Sequence, residues 1–247
     1  MLKKLVLAAA VCATVSFAAW DKFPVLENHK GETSVGATFN GGRDPLRLVP
    51  YVGSRYTILP NLELATMIPY AINLTENNDN GVGNPEFMAR YQFISSMNVF
   101  LDVSVPTSWG TQFCSSAWEF FFGLQFSQKF GIVNFGSQLG ATLFTPGRNK
   151  VTPPVLVSLG VEADFELGIP LVPIAGLNSS MEVGRYSKEG KDLSHSHTGH
   201  VTVGPYGGFR YDINQSINIK TLGGFVVGKH IEDDIPYWVT AEVNMGF

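Results

Sequence analysis

The chain has 247 residues, 45% of them hydrophobic, 12% aromatic and only 15% charged, with 26 glycines. Disordered chains are charge-rich and poor in aromatics, so this composition excludes disorder. With 17 basic against 21 acidic residues and no basic stripe, no nucleic-acid partner is expected.

Lys3 and Lys4 precede the apolar run Leu5–Val11, and Ser16-Phe17-Ala18 follows. A basic start, a short apolar core and small residues two apart predict a signal peptide over residues 1–18, cleaved after Ala18. The apolar run falls short of the ~20 residues a spanning helix needs. The exported chain keeps one cysteine, Cys114, which cannot form an internal disulfide. Residues 19–31 carry Pro24, Asn28 and Gly31, which break any pattern. They are expected to form a periplasmic N-terminal segment or a small plug inside the domain that follows.

From there the hydrophobic period is two. In Met97–Val105 the odd positions are all apolar, while Asn98, Asp102 and Ser104 stand between them. Trp118, Phe120, Phe122, Leu124 and Phe126 oppose Glu119, Gly123 and Gln125; Tyr237, Val239, Ala241, Val243, Met245 and Phe247 oppose Thr240, Glu242, Asn244 and Gly246. Such alternation predicts half-buried strands. Twelve segments show it, near 33–40, 46–58, 62–71, 84–93, 96–106, 116–127, 131–144, 153–165, 170–185, 198–211, 215–228 and 236–247. Most reach the ~9–11 residues of a tilted membrane strand; strands of soluble sandwiches are nearer ~5–6.

The connections alternate in length. Pro60-Asn61, Ser95-Ser96, Gln128-Lys129-Phe130, Gly168-Ile169 and Asn214 read as tight turns. Apart from a short link at 41–45, the others are longer and polar, at 73–83, 107–115, 145–152, 186–197 and 229–235. Short turns on the periplasmic side and long loops outside are the pattern of an outer-membrane barrel. The expected fold is therefore all-β: one transmembrane, antiparallel, up-and-down β-barrel of about twelve strands over residues 32–247. Outer-membrane lipids are the expected surroundings, and Phe247 ends the final strand where barrel-assembly machinery would read it.

The charged strand residues share one parity. Arg47, Arg55, Glu63, Glu86, Arg90, Asp102, Glu119, Glu162, Asp164, Glu182, Arg210, Lys220 and Glu242 all fall on the polar face of their strands. A cation on a lipid face near the midplane costs about 2–4 kcal/mol, so this face is assigned to the lumen. These residues, with Phe121, are the candidate pore lining. Mixed signs allow two outcomes, a charged constriction that selects solutes or paired charges, such as Glu63 with Arg55 or Arg90, that satisfy a wet interior. Tyr51, Met67, Met88, Phe100, Tyr206 and Trp238 share the parity of Phe121, and they form either a path for apolar solutes or packing that closes it.

Residues 50–165 carry a further likeness. The pieces are Arg55-Tyr56-Thr57-Ile58-Leu59-Pro60-Asn61-Leu62-Glu63-Leu64 with Ile68-Pro69-Tyr70, then Gly81-Val82-Gly83-Asn84-Pro85-Glu86-Phe87-Met88-Ala89-Arg90-Tyr91, then Leu101–Thr107. Together they resemble the outer-membrane barrel family named after the meta-pathway of phenol degradation. The resemblance implies a transporter-like barrel for hydrophobic or aromatic solutes and carries no catalytic residue with it.

Ser194-His195-Ser196-His197, with His200 and Asp192, is the one histidine cluster. Its spacing suits a metal ion, but it lies beside Lys188 and Lys191 in a polar loop and is read as solvated. Lipid-parity serines (Ser54, Ser137, Ser179) have no strand histidine beside them, as a hydrolase would require. The expectation is a channel for small, possibly aromatic or amphipathic solutes, with no catalytic, cofactor-binding or metal site. The other reading is a closed structural or surface-interaction barrel.

Overall fold

A computed structural model describes residues 22–42, 46–75, 80–107, 116–147, 150–193, 199–228, 231 and 235–247. The expected signal peptide, Cys114, His195 and His197 lie outside the described residues. Among those described, twelve long strands run in chain order: β1 (Gly31–Gly41), β2 (Arg47–Leu59), β3 (Leu62–Asn73), β4 (Glu86–Ile94), β5 (Met97–Ser104), β6 (Glu119–Phe130), β7 (Val133–Phe144), β8 (Val155–Phe165), β9 (Leu171–Val183), β10 (Val201–Asp212), β11 (Ile217–Phe225) and β12 (Tyr237–Gly246). Each pairs antiparallel with the next, and β1 pairs with β12 through Val35↔Val243 and Ala37↔Ala241. The sheet closes on itself. Closure removes both edges, so every strand finds ladder partners on two sides, as a membrane-spanning sheet requires.

Apolar and polar residues alternate along each strand because successive side chains leave opposite faces of the sheet. The outward set is exposed and apolar. Val35, Val52, Ile68, Leu101, Leu124, Leu139, Leu159, Leu177, Ile219 and Val243 occupy its middle. Aromatics stand nearer the rims: Tyr56, Tyr91, Phe130, Tyr211 and Phe247 at the end of the short turns, Tyr70, Trp118, Phe225 and Tyr237 at the other. An aliphatic band between two aromatic girdles is the lipid-facing surface of a transmembrane barrel. Phe247 closes the ring of strands: its backbone exchanges two hydrogen bonds of 2.9 Å with Gly31, and its ring stacks on Tyr56.

Several boundaries differ from the periodicity. The tight turn expected at Gln128-Lys129-Phe130 lies one step later, at Gly131-Ile132, because Lys129 and Phe130 still pair with Asn134 and Val133. Gly131 takes the left-handed turn, with φ +60°, where a Cβ would be penalised. β4 starts at Glu86 instead of 84: Pro85 has no N–H for the ladder, and the Asn84 side chain accepts a hydrogen bond from the Thr107 backbone at 3.1 Å. β11 breaks at Val226, with Val227–Gly228 pairing separately against β10. At the long-loop end, Val151–Thr152, Ser187–Lys188 and Lys191–Asp192 form a small three-stranded sheet of their own.

Candidate functional site in the barrel interior

Among the described residues, charge collects on the enclosed inward face of the twelve strands. Its buried members include Arg55, Glu63, Arg90, Glu162, Asp164 and Glu242, with Ser34, Thr38, Asn98, Gln125, Thr240 and Asn244 between them. Neutral groups form cross-strand chains: Thr38 with Thr240 at 2.8 Å, Ser34 to Asn244, Asn244 to Asn218 at 3.0 Å, and Gln125 to Gln138 at 2.8 Å. Such bonding is needed because an unpaired polar group away from water costs about 1–3 kcal/mol.

The charges are arranged in separate groups. Arg55 sits between Glu32, at 3.1 Å, and Glu63, at 3.9 Å. Arg90 stands directly opposite Glu63 in the β3–β4 register. Glu32 was missed by the periodicity because β1 begins at Gly31, earlier than its clear alternation. On the far wall Arg210 reaches Asp164 at 3.2 Å and Asp212 at 2.8 Å. Lys220 lies 3.9 Å from Glu162. Glu86, Asp102 and Glu119 cluster at the outer ends of β4, β5 and β6, where Glu86 and Glu119 both pair with Ser104. Arg47 and Glu182 are also near the long-loop end, on β2 and β9.

The inward aromatics pack in two clusters and one pair. Tyr51, Met67 and Met88 make one cluster; Ile174, Tyr206 and Leu222, with Trp238 against them, make the other. Phe100 and Phe121 meet edge-on at 4.8 Å.

Two of these tyrosines repeat one arrangement. Tyr51 on β2 passes over Gly36 on β1 and donates to Glu242 on β12 at 2.5 Å. Tyr206 on β10 passes over Gly176 on β9 and donates to Glu162 on β8 at 2.6 Å. The middle glycine is required in both. A Cβ on Gly36 would stand 2.7 Å from the Tyr51 hydroxyl, and one on Gly176 would stand 2.1 Å from the Tyr206 ring. No sequence pattern singles out these glycines, because a missing side chain carries no period and the bridging partners are 191 and 44 residues apart.

Residues 22–30 cross this interior. His29 bonds to Thr57. The Leu26 N–H donates to Glu63 at 3.0 Å, and its carbonyl accepts from Thr57 Oγ1 at 3.1 Å. The Phe23 carbonyl accepts from Asn98 on β5 at 3.3 Å. Lys22 ends on the opposite wall, 4% exposed, with Nζ donating to the Tyr206 hydroxyl at 2.8 Å and lying 3.6 Å from Glu162 Oε2. A polar cavity remains beside Phe23, lined by Arg55, Asp164, Arg210, Lys220 and Glu242 among others.

Chemically, this interior presents charges of both signs, hydrogen-bonding groups and aromatic rings. Among the described residues no group of three His, Cys, Asp or Glu is placed to hold a metal ion. His200 and Asp192 are described, in the loop after β9.

No family model matches the chain, and no curated protein matches its sequence. Solved structures do match. The COG4313 outer membrane channel from Pseudomonas putida F1 aligns over 91% of this chain and 98% of its own, with TM-score 0.70 at 10% identity. The NanC porin aligns over 86% and 98%, with TM-score 0.58 at 8% identity. CymD, a monoaromatic hydrocarbon channel, aligns over 90% and 88%, with TM-score 0.50 at 6% identity. The fold is that of outer-membrane β-barrel channels.

Proposed function

We propose that the chain is an outer-membrane channel for passive uptake of small, aromatic or amphipathic solutes. The observation that carries this reading is the inward face, a closed twelve-strand wall presenting ion pairs and polar chains beside small aromatic and aliphatic clusters. Side chains just fill a barrel of about eight strands, and twelve leave more room. The lining would comprise Arg47, Arg55, Glu63, Glu86, Arg90, Asp102, Glu119, Phe121, Glu162, Asp164, Glu182, Arg210, Lys220 and Glu242. Acids exceed cations in that set, and Glu86, Asp102 and Glu119 gather at the outer end. A weak cation preference follows. The Phe100–Phe121 and Tyr206–Trp238 contacts, the fold likeness to CymD and the resemblance of residues 50–165 to the meta-pathway barrel family support an aromatic solute. Export by the segment 1–18 and assembly through β12 and Phe247 belong to the same reading, which gives the protein no enzymatic role.

Residues 22–30 act in this reading as a small plug that keeps conductance low. The expected result in planar bilayers is a small, weakly cation-selective conductance. Deleting residues 19–27 raises it, and Glu119→Gln with Asp102→Asn lowers the reversal potential across a salt gradient. Anion preference in the unaltered protein refutes the charge argument. A second reading, a closed structural barrel, is favoured by the crossing segment itself. It wins if neither the intact nor the shortened chain conducts.

A further inference from the structure

The two tyrosine bridges differ in what completes them. Glu242 is met by Tyr51 at 2.5 Å and by Asn244 at 3.2 Å, all from barrel strands. Glu162 is met by Tyr206 and Lys220 from strands and by Lys22 from outside the barrel wall. The ammonium of Lys22 lies near three recognition groups at once: the Tyr206 hydroxyl at 2.8 Å, Glu162 Oε2 at 3.6 Å, and the Tyr206 ring, 5.3 Å from its centroid. A hydroxyl acceptor, a carboxylate and an aromatic face together select a cation.

The wall below is bare where the lysine lies. A Cβ on Gly136 would stand 2.8 Å from the Lys22 carbonyl, and one on Gly160 would stand 2.6 Å from its Cε. These glycines, on neighbouring strands β7 and β8, leave a slot for an alkyl chain running up to Glu162. Trp238 packs against Tyr206, with ring centroids 6.0 Å apart.

We infer that Gly136, Gly160, Glu162 and Tyr206 form a binding site for alkyl primary ammonium ions, occupied in this structure by the chain's own Lys22. The tethered lysine is an intramolecular competitor, held in place by the hydrogen bonds of Phe23, Leu26 and His29, and even a short flexible linker would give it an effective concentration on the order of millimolar. A free amine must displace it. The ligand class follows from the slot and the donors: a slender alkyl chain with an N–H-bearing cation fits, whereas a quaternary ammonium cannot donate to Tyr206 and is too broad for the glycine slot.

The test uses the full exported chain refolded in detergent, with n-butylammonium as probe and tetramethylammonium and n-butanol as controls. Binding is read by calorimetry, and faster gel migration of unboiled samples shows that each variant is folded. Lys22→Ala is expected to bind n-butylammonium at least about ten-fold more tightly than the unaltered chain, because its competitor is gone. Adding Glu162→Gln abolishes that binding, and neither control ligand binds. Equal affinity with and without Lys22, or affinity that survives Glu162→Gln, overturns the site. The site needs no conduction to exist, so its fate separates from that of the channel reading. Binding without current would sink only the channel, and current without binding would sink only this site.

Discussion

Tyr51 crosses Gly36 to Glu242, and Tyr206 crosses Gly176 to Glu162, at 2.5 and 2.6 Å. The first bridge lies on the β12–β1–β2 wall, amid Met67, Met88 and the Arg55–Glu63–Glu32 charges. It is complete in itself. The second lies on the β8–β9–β10 wall, where Gly136 and Gly160 leave bare backbone and Lys22 fills the space. One backbone solution thus serves two ends. Where neighbours are bulky, a tyrosine–carboxylate bond ties the wall together. Where they are glycines, the same bond presents a carboxylate to something that is not wall.

The largest effect is expected on the self-contained side. Arg55→Ala leaves Glu63, 1% exposed, without the cation at 3.9 Å. Removing one partner of a buried ion pair costs about 3–5 kcal/mol. Denaturant unfolding in lipid vesicles measures it; a loss below about 1 kcal/mol would mean that Arg90 or water replaces Arg55, and that this wall is not closed on itself.

Next in size is a change across the wall. Leu101 faces lipid and its neighbour Asp102 faces inward. Leu101→Arg should cost up to about 2–4 kcal/mol, the figure for a cation at the midplane, while Asp102→Asn leaves folding largely intact. Equal tolerance would undo the assignment of faces on which both bridges rest.

A smaller, paired effect sharpens the contrast directly. A hydrogen bond to a charged group contributes about 1.5–3 kcal/mol. Tyr51→Phe should lose an amount in that range. Tyr206→Phe should lose more, because it removes both the bond to Glu162 and the one accepted from Lys22. Equal losses from the same vesicle unfolding assay would show that Lys22 adds nothing to the second bridge.

The smallest effect lies at the short-turn rim. The Lys129 ammonium, through its hydrogen bond, holds the Glu166 carboxyl below the usual carboxylate range, helped by Asn134 at 2.6 Å. A carboxyl whose folded value is depressed stabilises the fold above its unfolded value, and that gain fades as pH falls through the folded value. Lys129→Met should therefore be slightly less stable than the unaltered protein at neutral pH. The gap should close on acidification below the glutamate range. Both groups are partly exposed, so salt should shrink the gap as well. A gap that persists in acid would assign the effect to packing.

The barrel was legible in the sequence because strand alternation is local. Each residue's face follows from its neighbours two positions away. Twelve segments and alternating connections sufficed for an up-and-down topology. Strand ends were less legible: Phe130 and Glu32 lie in ladders that only the partner strand extends.

What the sequence by itself determined, then, is the all-β, up-and-down barrel and the alternation of its two faces. Only the tertiary structure decided which inward residues meet. Tyr51 and Glu242 are 191 residues apart, and Lys22 and Tyr206 are 184 apart. Their contacts depend on the register in which β1 meets β12 and on the path residues 22–30 take across the interior. Glycines at 36, 136, 160 and 176 look alike in a strand pattern, since a missing side chain carries no period. Their role appears only when the chain is closed and a tyrosine ring or a lysine stem occupies the place where a Cβ would have been.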